Sequence, residues 1–197
     1  MKQFYKKYGK RLFDIILAVP LIILLSPFMI VIALLIKFSS SGKVIFVQDR
    51  IGKDGCIFPM YKFRTMFDKP RVSTKEVFLD DMELFKTGKL LRRFKLDELP
   101  QLLNIIKGDI SFVGPRPLLP SHFKKYNELF KERFDVSPGL TGLAQTSGNI
   151  YLKREKRFEY DLLYINQISF FLDVITIIKT IYLVFVGEKK FLNKNNK

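Results

Sequence analysis

Cysteine, histidine and tryptophan are nearly absent from this 197-residue sequence, which has one cysteine, one histidine and no tryptophan. With Cys56 alone no intramolecular disulfide bond forms, which fits a reducing compartment. His122 and Cys56 do not supply the usual ligand set of a zinc site. Acidic residues are also few, 19 against 34 lysines and arginines, so the formal net charge is +15. This excess predicts an anionic partner: nucleic acid, a phosphorylated substrate or an acidic membrane face.

Hydrophobic residues are abundant, at 48% of the chain, and 20 residues are phenylalanine. A domain that binds nucleic acid would normally be less apolar, so we expect no nucleic-acid partner despite the charge. The chain is long enough for one well-buried domain with an appendage. The composition therefore indicates contact with lipid or a large core, together with an anionic ligand.

One segment, residues 15–36, contains no charged residue. As a single helix it would extend about 33 Å, enough to cross a bilayer core of roughly 30 Å. Pro27 lies near its middle, where proline removes a backbone hydrogen bond and kinks a helix. Basic residues lie on both sides of the segment, so a straight span would place one basic cluster on the translocated side, against the positive-inside rule.

We therefore predict a re-entrant membrane anchor over residues 1–38, broken at Ser26-Pro27, with both ends on the cytoplasmic side. Carbonyl groups freed at the break would need the Ser26 hydroxyl or packing partners, because lipid offers none. A simple spanning helix is the alternative. A cleaved signal peptide is disfavoured, because the apolar run exceeds the usual length of about 7 to 15 residues.

The rest of the pattern predicts an α+β fold that is mainly helical, with a short β-hairpin formed by residues 43–47 and 57–63 around Gly52 and Gly55. Helical spacing covers residues 76–95, 121–134, 153–165 and 170–186, and a strand covers 110–113. The last of these helices is expected to be amphipathic, on the membrane surface or in the core. We expect a cytoplasmic catalytic domain over residues 39–188 and a polar tail over 189–197.

A carboxylate pair, Asp97-Glu98, stands just ahead of Pro100. Proline favours the first turn of a helix, and Gly108 is a natural stop for that helix. The position predicts Asp97 at or near the helix N-cap, where backbone N–H groups and the helix dipole stabilise an anion. With an ordinary pKa near 3.9, Asp97 would be ionised at neutral pH. It would be either a plain cap, or a nucleophile or cation ligand.

Basic residues accompany this pair in the sequence: Arg92 upstream, Lys62 and Arg64 in the hairpin region, and Arg116 between two prolines. Arginine binds phosphate through two parallel hydrogen bonds, and flanking prolines hold the backbone that directs Arg116. Together with a membrane anchor, these residues favour phosphoryl chemistry at a bilayer. Either acid of the pair could hold Mg²⁺, which often takes one or two carboxylates plus substrate phosphates and water.

These pieces, in their order along the chain, resemble the bacterial sugar transferases, and in particular the small monotopic phosphoglycosyl transferases. The resemblance rests on Gln48, Arg50 and Gly52, on Ala144 and Gln145, on Asp161, Tyr164, Ser169 and Asp173, and on residues 42–46, 62–66, 96–102, 108–109, 114–117 and 138–142. Any one piece would be a weak signal, whereas ordered coverage to about residue 180 is specific. Leu143 and Lys95 depart from the residues most frequent in the family, which leaves the sugar pocket open.

The resemblance implies transfer of a phosphosugar from a UDP-sugar to a polyprenyl phosphate, expected to be undecaprenyl phosphate, with release of UMP. It implies a covalent phosphosugar on Asp97 and Mg²⁺ bound at Asp97. Glu98 would then orient a reacting group or remove its proton. Phosphates would be held by Arg92, Arg116, Lys62 and Arg64. It also implies the Ser26-Pro27 break and the cytoplasmic face of the bacterial inner membrane. Further copies of the chain or downstream glycosyltransferases are candidate partners, and the sequence does not specify the oligomeric state. The sugar is not specified, although an N-acetylated amino sugar is common.

A rival interpretation is a non-catalytic basic module that lies on the membrane surface and recruits anionic lipid or a glycosyltransferase. It accounts for the charge and the anchor. It does not account for Asp97-Glu98 beside ordered arginines, so we expect an enzyme.

Overall fold

A computed structural model describes residues 4–67, 81–126 and 130–187. Within these ranges, seven α-helices accompany two small sheets, which confirms the predicted α+β class. The elements are α1 (Lys10–Ser39), β1 (Ile45–Ile51), β2 (Ile57–Phe63), α2 (Lys86–Arg93), α3 (Gln101–Lys107), β3 (Ser111–Val113), α4 (Pro120–Tyr126), β4 (Gly139–Thr141), α5 (Leu143–Thr146), α6 (Arg154–Gln167) and α7 (Phe170–Val186). The tail predicted over residues 189–197 lies outside the described residues.

Helix α1 is 30 residues long and continues through Pro20 and Pro27 as one element. The break predicted at Ser26-Pro27 therefore does not divide the segment into two separate helices. Pro27 lacks the N–H that would bond the Ile23 carbonyl, and the Ser26 hydroxyl donates to that same carbonyl at 2.9 Å. The Ser26 hydroxyl thus replaces the missing N–H as the donor to the Ile23 carbonyl. Together with the preceding turn Tyr5–Gly9, α1 is long and apolar enough to cross a membrane, the one such helix in the described ranges.

Both ends of α1 contact the same globular body. Near its start, the Arg11 guanidinium donates to the carbonyls of Ile105 and Ile106 at 2.5 and 2.7 Å. At its end, the hydroxyls of Ser39 and Thr87 are 2.7 Å apart. Between these points one face of the helix is buried at intervals along its length, at Ala18, Ile32 and Ile36, while the opposite face is exposed and apolar.

The predicted β-hairpin is confirmed. Strands β1 and β2 pair antiparallel, with Ile45 opposite Phe63 and Ile51 opposite Ile57, and a short helical turn, Lys53–Gly55, joins them. A second sheet pairs β3 with β4 in parallel. Strand β4 has no counterpart in the sequence prediction, because its three residues lie among glycines and Pro138. Glycine is needed there, since a Cβ at Gly139 would lie 2.1 Å from the backbone nitrogen of Gly114.

Two predicted helices are shorter in the structure. The helix predicted over residues 76–95 is helical only from Lys86 to Arg93 in the described part. Leu84 instead forms a bridge with Met66, because Leu84 and Phe85 enter the core as extended chain. Within the helix predicted over 121–134, the described residues form α4 up to Tyr126 and a separate turn over Lys131–Phe134. The helices predicted over 153–165 and 170–186 are confirmed as α6 and α7.

Helix α7 is amphipathic, as predicted. Its inner face carries Asp173, which accepts hydrogen bonds from Lys10, Tyr5 and Tyr164 at 2.6, 2.7 and 2.8 Å. This buried network connects α7 to the start of α1. Large apolar side chains occupy the outer face and are exposed, among them Phe171, Ile175, Ile178, Ile181 and Phe185.

Candidate functional site

The predicted catalytic pair lies in a single helical turn, Leu96–Glu98, that precedes α3. Asp97 lies near the helix N-cap, as predicted, but it does not cap the helix, because the N-cap residue is Pro100 and the Asp97 side chain bonds no N–H there. Lys95 has a left-handed backbone conformation, with φ at 56°, and directly precedes the Leu96–Glu98 turn. The backbone is therefore already helical before α3 begins. The predicted stop is confirmed, since Gly108 ends the helix at φ 92°.

Glu98 is held by two cations from separate elements. Lys62 on β2 donates a hydrogen bond of 2.6 Å to the Glu98 carboxylate, and both side chains are mostly buried. Arg116, on the loop after β3, lies 4.0 Å from the same oxygen. Burial alone would raise the pKa of Glu98, but Lys62, Arg116 and Lys95 outweigh it and lower that pKa to about 2. Glu98 is therefore a fixed anion that holds Lys62 in place.

Asp97 occupies a different environment from Glu98. Its side chain is buried, and its carboxylate forms no hydrogen bond or ion pair with any residue that the structure describes. Burial raises the pKa of Asp97, and the neighbouring Glu98 charge raises it further, while Lys62, Arg92 and Lys95 act in the opposite direction. The shift is opposite to the one expected from a helix N-terminus. Buried carboxylates normally have hydrogen-bond partners. Because Asp97 has none among the described residues, its oxygens are available to an electrophile or a cation.

The predicted phosphate-binding arginines are found in different places. Arg92 donates to the Thr65 hydroxyl at 2.9 Å, and its charge acts on Asp97. Arg116 faces Glu98, as described above. Arg64 is not brought to this site, because its three donor nitrogens bond the carbonyl of Lys43 and the hydroxyl and carbonyl of Ser40 at 2.6 to 2.9 Å. In this position Arg64 connects the end of α1 to the hairpin.

A small cleft, open to solvent, lies beside Glu98. Its wall includes Lys62 and Arg116, and also two residues to which sequence reasoning gave no role, Arg50 and Gln101. Gln101 is 3% exposed, and its amide nitrogen has no hydrogen-bond acceptor among the described residues. The signal for Gln101 was its place four residues after Asp97, within the same motif. Cationic and amide groups around such a cleft suit the binding of phosphate oxygens.

Comparison with known sequences decides the family. The pattern of the bacterial sugar transferases matches residues 5–187. The chain belongs to the bacterial sugar transferase family. An uncharacterised sugar transferase of Bacillus subtilis, EpsL, is 42% identical over 91% of this chain and 88% of its own length.

Two relatives of this sugar transferase have names that state a reaction. A Klebsiella pneumoniae protein named UDP-glucose:undecaprenyl-phosphate glucose-1-phosphate transferase is 43% identical over 92% of the chain. An Aeromonas hydrophila protein named UDP-N-acetylgalactosamine-undecaprenyl-phosphate N-acetylgalactosaminephosphotransferase is 37% identical over 90% of the chain. The matched region is 41% and 44% of these two proteins, so the chain spans less than half of their length.

The residues of this sugar transferase fit the Mg²⁺ predicted from the resemblance. The described residues contain no cluster of three metal-binding side chains of the His, Cys, Asp or Glu types. Mg²⁺ commonly takes only one or two carboxylates and completes its shell with substrate phosphates and water. The buried Asp97 carboxylate, which has no hydrogen-bond donor in the described chain, has the chemistry that such a ligand requires.

Proposed function

We propose that this chain transfers a phosphosugar from a UDP-sugar to polyprenyl phosphate, with undecaprenyl phosphate as the acceptor, and releases UMP. The observation that carries the proposal is the buried Asp97 carboxylate, which has no hydrogen-bond partner in the described chain and stands between the charges of Lys62, Glu98 and Arg92. The names of the Klebsiella and Aeromonas relatives support the same reaction class.

The transfer takes place in two displacements. An oxygen of Asp97 attacks the phosphorus that bears the sugar, and the bond from this phosphorus to the bridging oxygen breaks, so UMP leaves with the electron pair. An anionic oxygen of polyprenyl phosphate then attacks the same phosphorus, and the Asp97 carboxylate is regenerated. A carboxylate nucleophile needs no general base, and division into two steps allows two poorly miscible substrates to bind in turn.

The surrounding charges have separate tasks in this proposal. Lys62, Arg92 and Arg116 neutralise the charge on the phosphate oxygens in the transition state. Glu98 orients Lys62 toward the substrate. We assign Arg64 a structural role, because its donors already hold residues 40–43. Asp97 would hold Mg²⁺, which when bound supplies further charge neutralisation at the donor phosphates.

The long apolar helix α1 supports a position of this site at the membrane surface. Because Arg11 and Ser39, near the two ends of α1, contact one globular body, we propose that both ends lie on the cytoplasmic side and that α1 enters the inner leaflet without crossing it. The exposed apolar face of α7 would then lie at the same interface. The phosphate of a polyprenyl phosphate is at this level, within reach of the cleft.

The experiment is an assay of UMP release by the purified full chain in detergent micelles, with Mg²⁺, undecaprenyl phosphate and a panel of UDP-sugars. We expect release with at least one donor, with UDP-glucose and UDP-N-acetylgalactosamine as the first candidates. Asp97→Asn should abolish release and Glu98→Gln should reduce it. Asp54→Asn, at the hairpin turn, is the matched carboxylate control and should be fully active.

Two results would count against the proposal. Full activity of Asp97→Asn would exclude Asp97 as the nucleophile. No UMP release with any donor, combined with binding to anionic vesicles, would favour the non-catalytic membrane-surface module.

A further inference from the structure

The loop that carries Arg116 is held by hydrogen bonds to a run of its carbonyl groups. Four consecutive carbonyl groups, from residue 115 to residue 118, each accept a hydrogen bond from another part of the fold. The donors are the backbone N–H of Gly139 to Pro115 at 2.9 Å, Arg133 to Arg116 at 2.8 Å, Arg50 to Pro117 at 3.2 Å, and the backbone N–H of Ile51 to Leu118 at 2.9 Å. A loop of this length normally leaves some carbonyls to water. Here the protein fixes the backbone on both sides of the Arg116 Cα.

Arg133 is itself rigidly placed. It is 4% exposed, and its guanidinium lies 4.4 Å from the centre of the Phe158 ring. Its Nε and Nη2 atoms both lie 2.8 Å from one oxygen of Asp161 on α6. The same Nη2 reaches the carbonyl of Arg116. A buried guanidinium with these contacts has one orientation, and in that orientation it donates a hydrogen bond to the Arg116 carbonyl.

The buried ion pair of Arg133 and Asp161 is not expected to contribute much to the stability of the fold. Burial raises the pKa of Asp161 to about 6, although Arg133 and two other arginines act against it, and burial lowers the pKa of Arg133. Both charges therefore lose hydration that their attraction does not fully restore. Replacing such pairs by apolar residues is often neutral or stabilising, so a buried pair suggests another use.

The Arg116 side chain indicates what this other use is. Its side chain is 39% exposed, lines the cleft and lies 4.0 Å from Glu98. A long side chain on a mobile loop would lose considerable entropy on binding phosphate, and a fixed backbone reduces that loss. We propose that Arg133, aligned by Asp161, is a positioning residue that directs Arg116 at a phosphate of the UDP-sugar. This inference rests on the proposed function, in which Arg116 binds donor phosphate.

The test is a double-mutant cycle between Arg133 and Arg116, read out by equilibrium binding of UDP to the full chain in micelles. UDP carries both donor phosphates and has no sugar to transfer, so the readout is independent of turnover. We expect Arg116→Met to weaken UDP binding at least tenfold. Arg133→Lys keeps the charge beside Asp161 but loses the planar fork, and should weaken binding about tenfold, as for one lost charge-assisted hydrogen bond.

The decisive quantity is the effect of Arg133→Lys in the Arg116→Met background, which should be less than about twofold because the side chain being positioned is then missing. An equal loss in both backgrounds, or no loss in the native background, would overturn the positioning role. Unchanged UDP binding in Arg116→Met would instead overturn the phosphate role of Arg116 in the proposed function, and the inference with it.

Two further variants keep the test decisive. If Arg133→Lys does not fold, Asp161→Asn takes its place in the same cycle, because it frees the guanidinium without removing it. The same non-additivity is expected, and additive losses overturn the proposal. Lys156→Met breaks the exposed ion pair with Glu159 on the same helix and is the control, with unchanged UDP binding.

Discussion

Lys62 and Glu98 are joined by a hydrogen-bonded ion pair of 2.6 Å that connects the β-hairpin to the turn containing Asp97. The pair fixes the position of the Glu98 carboxylate, whereas the adjacent Asp97 carboxylate has no partner in the described chain. This asymmetry between adjacent acids is the basis of the account, because the acid available for chemistry is the one that the protein does not bond.

Removing one member of this pair should be costly. Lys62→Met leaves the buried Glu98 carboxylate without its hydrogen-bonded cation and with Arg116 at 4.0 Å as its nearest remaining ion-pair partner in the described chain, so we expect a loss of about 3 kcal/mol in the free energy of unfolding. Adding Glu98→Gln to that variant should restore much of the stability, since the Glu98 charge that Lys62 neutralised is then removed as well. Denaturation of the single and double variants in micelles measures both effects. Additive losses would show that the two residues do not interact energetically.

The pH dependence of turnover should have an acid limb set by Asp97. The nucleophile must be ionised, and its pKa is raised above the usual 3.8 by burial and by the Glu98 charge. Activity should therefore fall as the pH falls through this raised value. Glu98→Gln removes a negative charge, lowers the pKa of Asp97 and moves the acid limb of kcat/KM to lower pH. A limb that stays in place, or moves to higher pH, would contradict the assignment.

Gln101 should be more important for binding than for folding. Its amide nitrogen bonds no acceptor within the described ranges, so Gln101→Met removes no hydrogen bond from the fold. We expect the free energy of unfolding to change by less than about 1 kcal/mol, while KM for the UDP-sugar rises severalfold. Thermal denaturation and steady-state kinetics on the same preparation decide this. A destabilised variant with unchanged KM would assign Gln101 to the core.

The two ends of α1 should be accessible from the same side of the membrane. The native Cys56 is exposed in the hairpin and marks the side on which the globular body lies. In a Cys56→Ser background, cysteines at the exposed positions Phe4 and Val47 should react with an impermeant thiol reagent only from the cytoplasmic side, like Cys56 itself. Labelling of Phe4→Cys and Val47→Cys from opposite sides would mean that α1 spans the bilayer.

Much of the fold could be predicted because its signals are local. Short apolar runs on either side of Gly52 and Gly55 predicted the hairpin, and helical spacing predicted α6 and α7 almost to the residue. Strand β4 was missed because three residues among glycines carry no periodicity. The structure of residues 81–85 was missed because Leu84 and Phe85 are apolar at helical spacing but pack as extended chain against other elements.

The sequence indicates several residues of the candidate site, but it does not indicate their electrostatics. The motif order selected Asp97, Glu98, Lys62 and Arg116. The burial of Asp97 and its raised pKa could not be predicted, because both depend on packing against residues distant in sequence. For the same reason Arg64 resembled a phosphate ligand in the sequence, although in the fold its donors hold residues 40–43.

The most direct test of the account is the mass of the intact chain after incubation with a UDP-sugar and Mg²⁺ in the absence of acceptor lipid. The account predicts an added mass equal to the phosphosugar, mapped by fragmentation to Asp97, lost on addition of undecaprenyl phosphate, and absent from Asp97→Asn. A chain that releases UMP on addition of the lipid but never carries the adduct, or that carries it on another residue, would contradict the central role of Asp97.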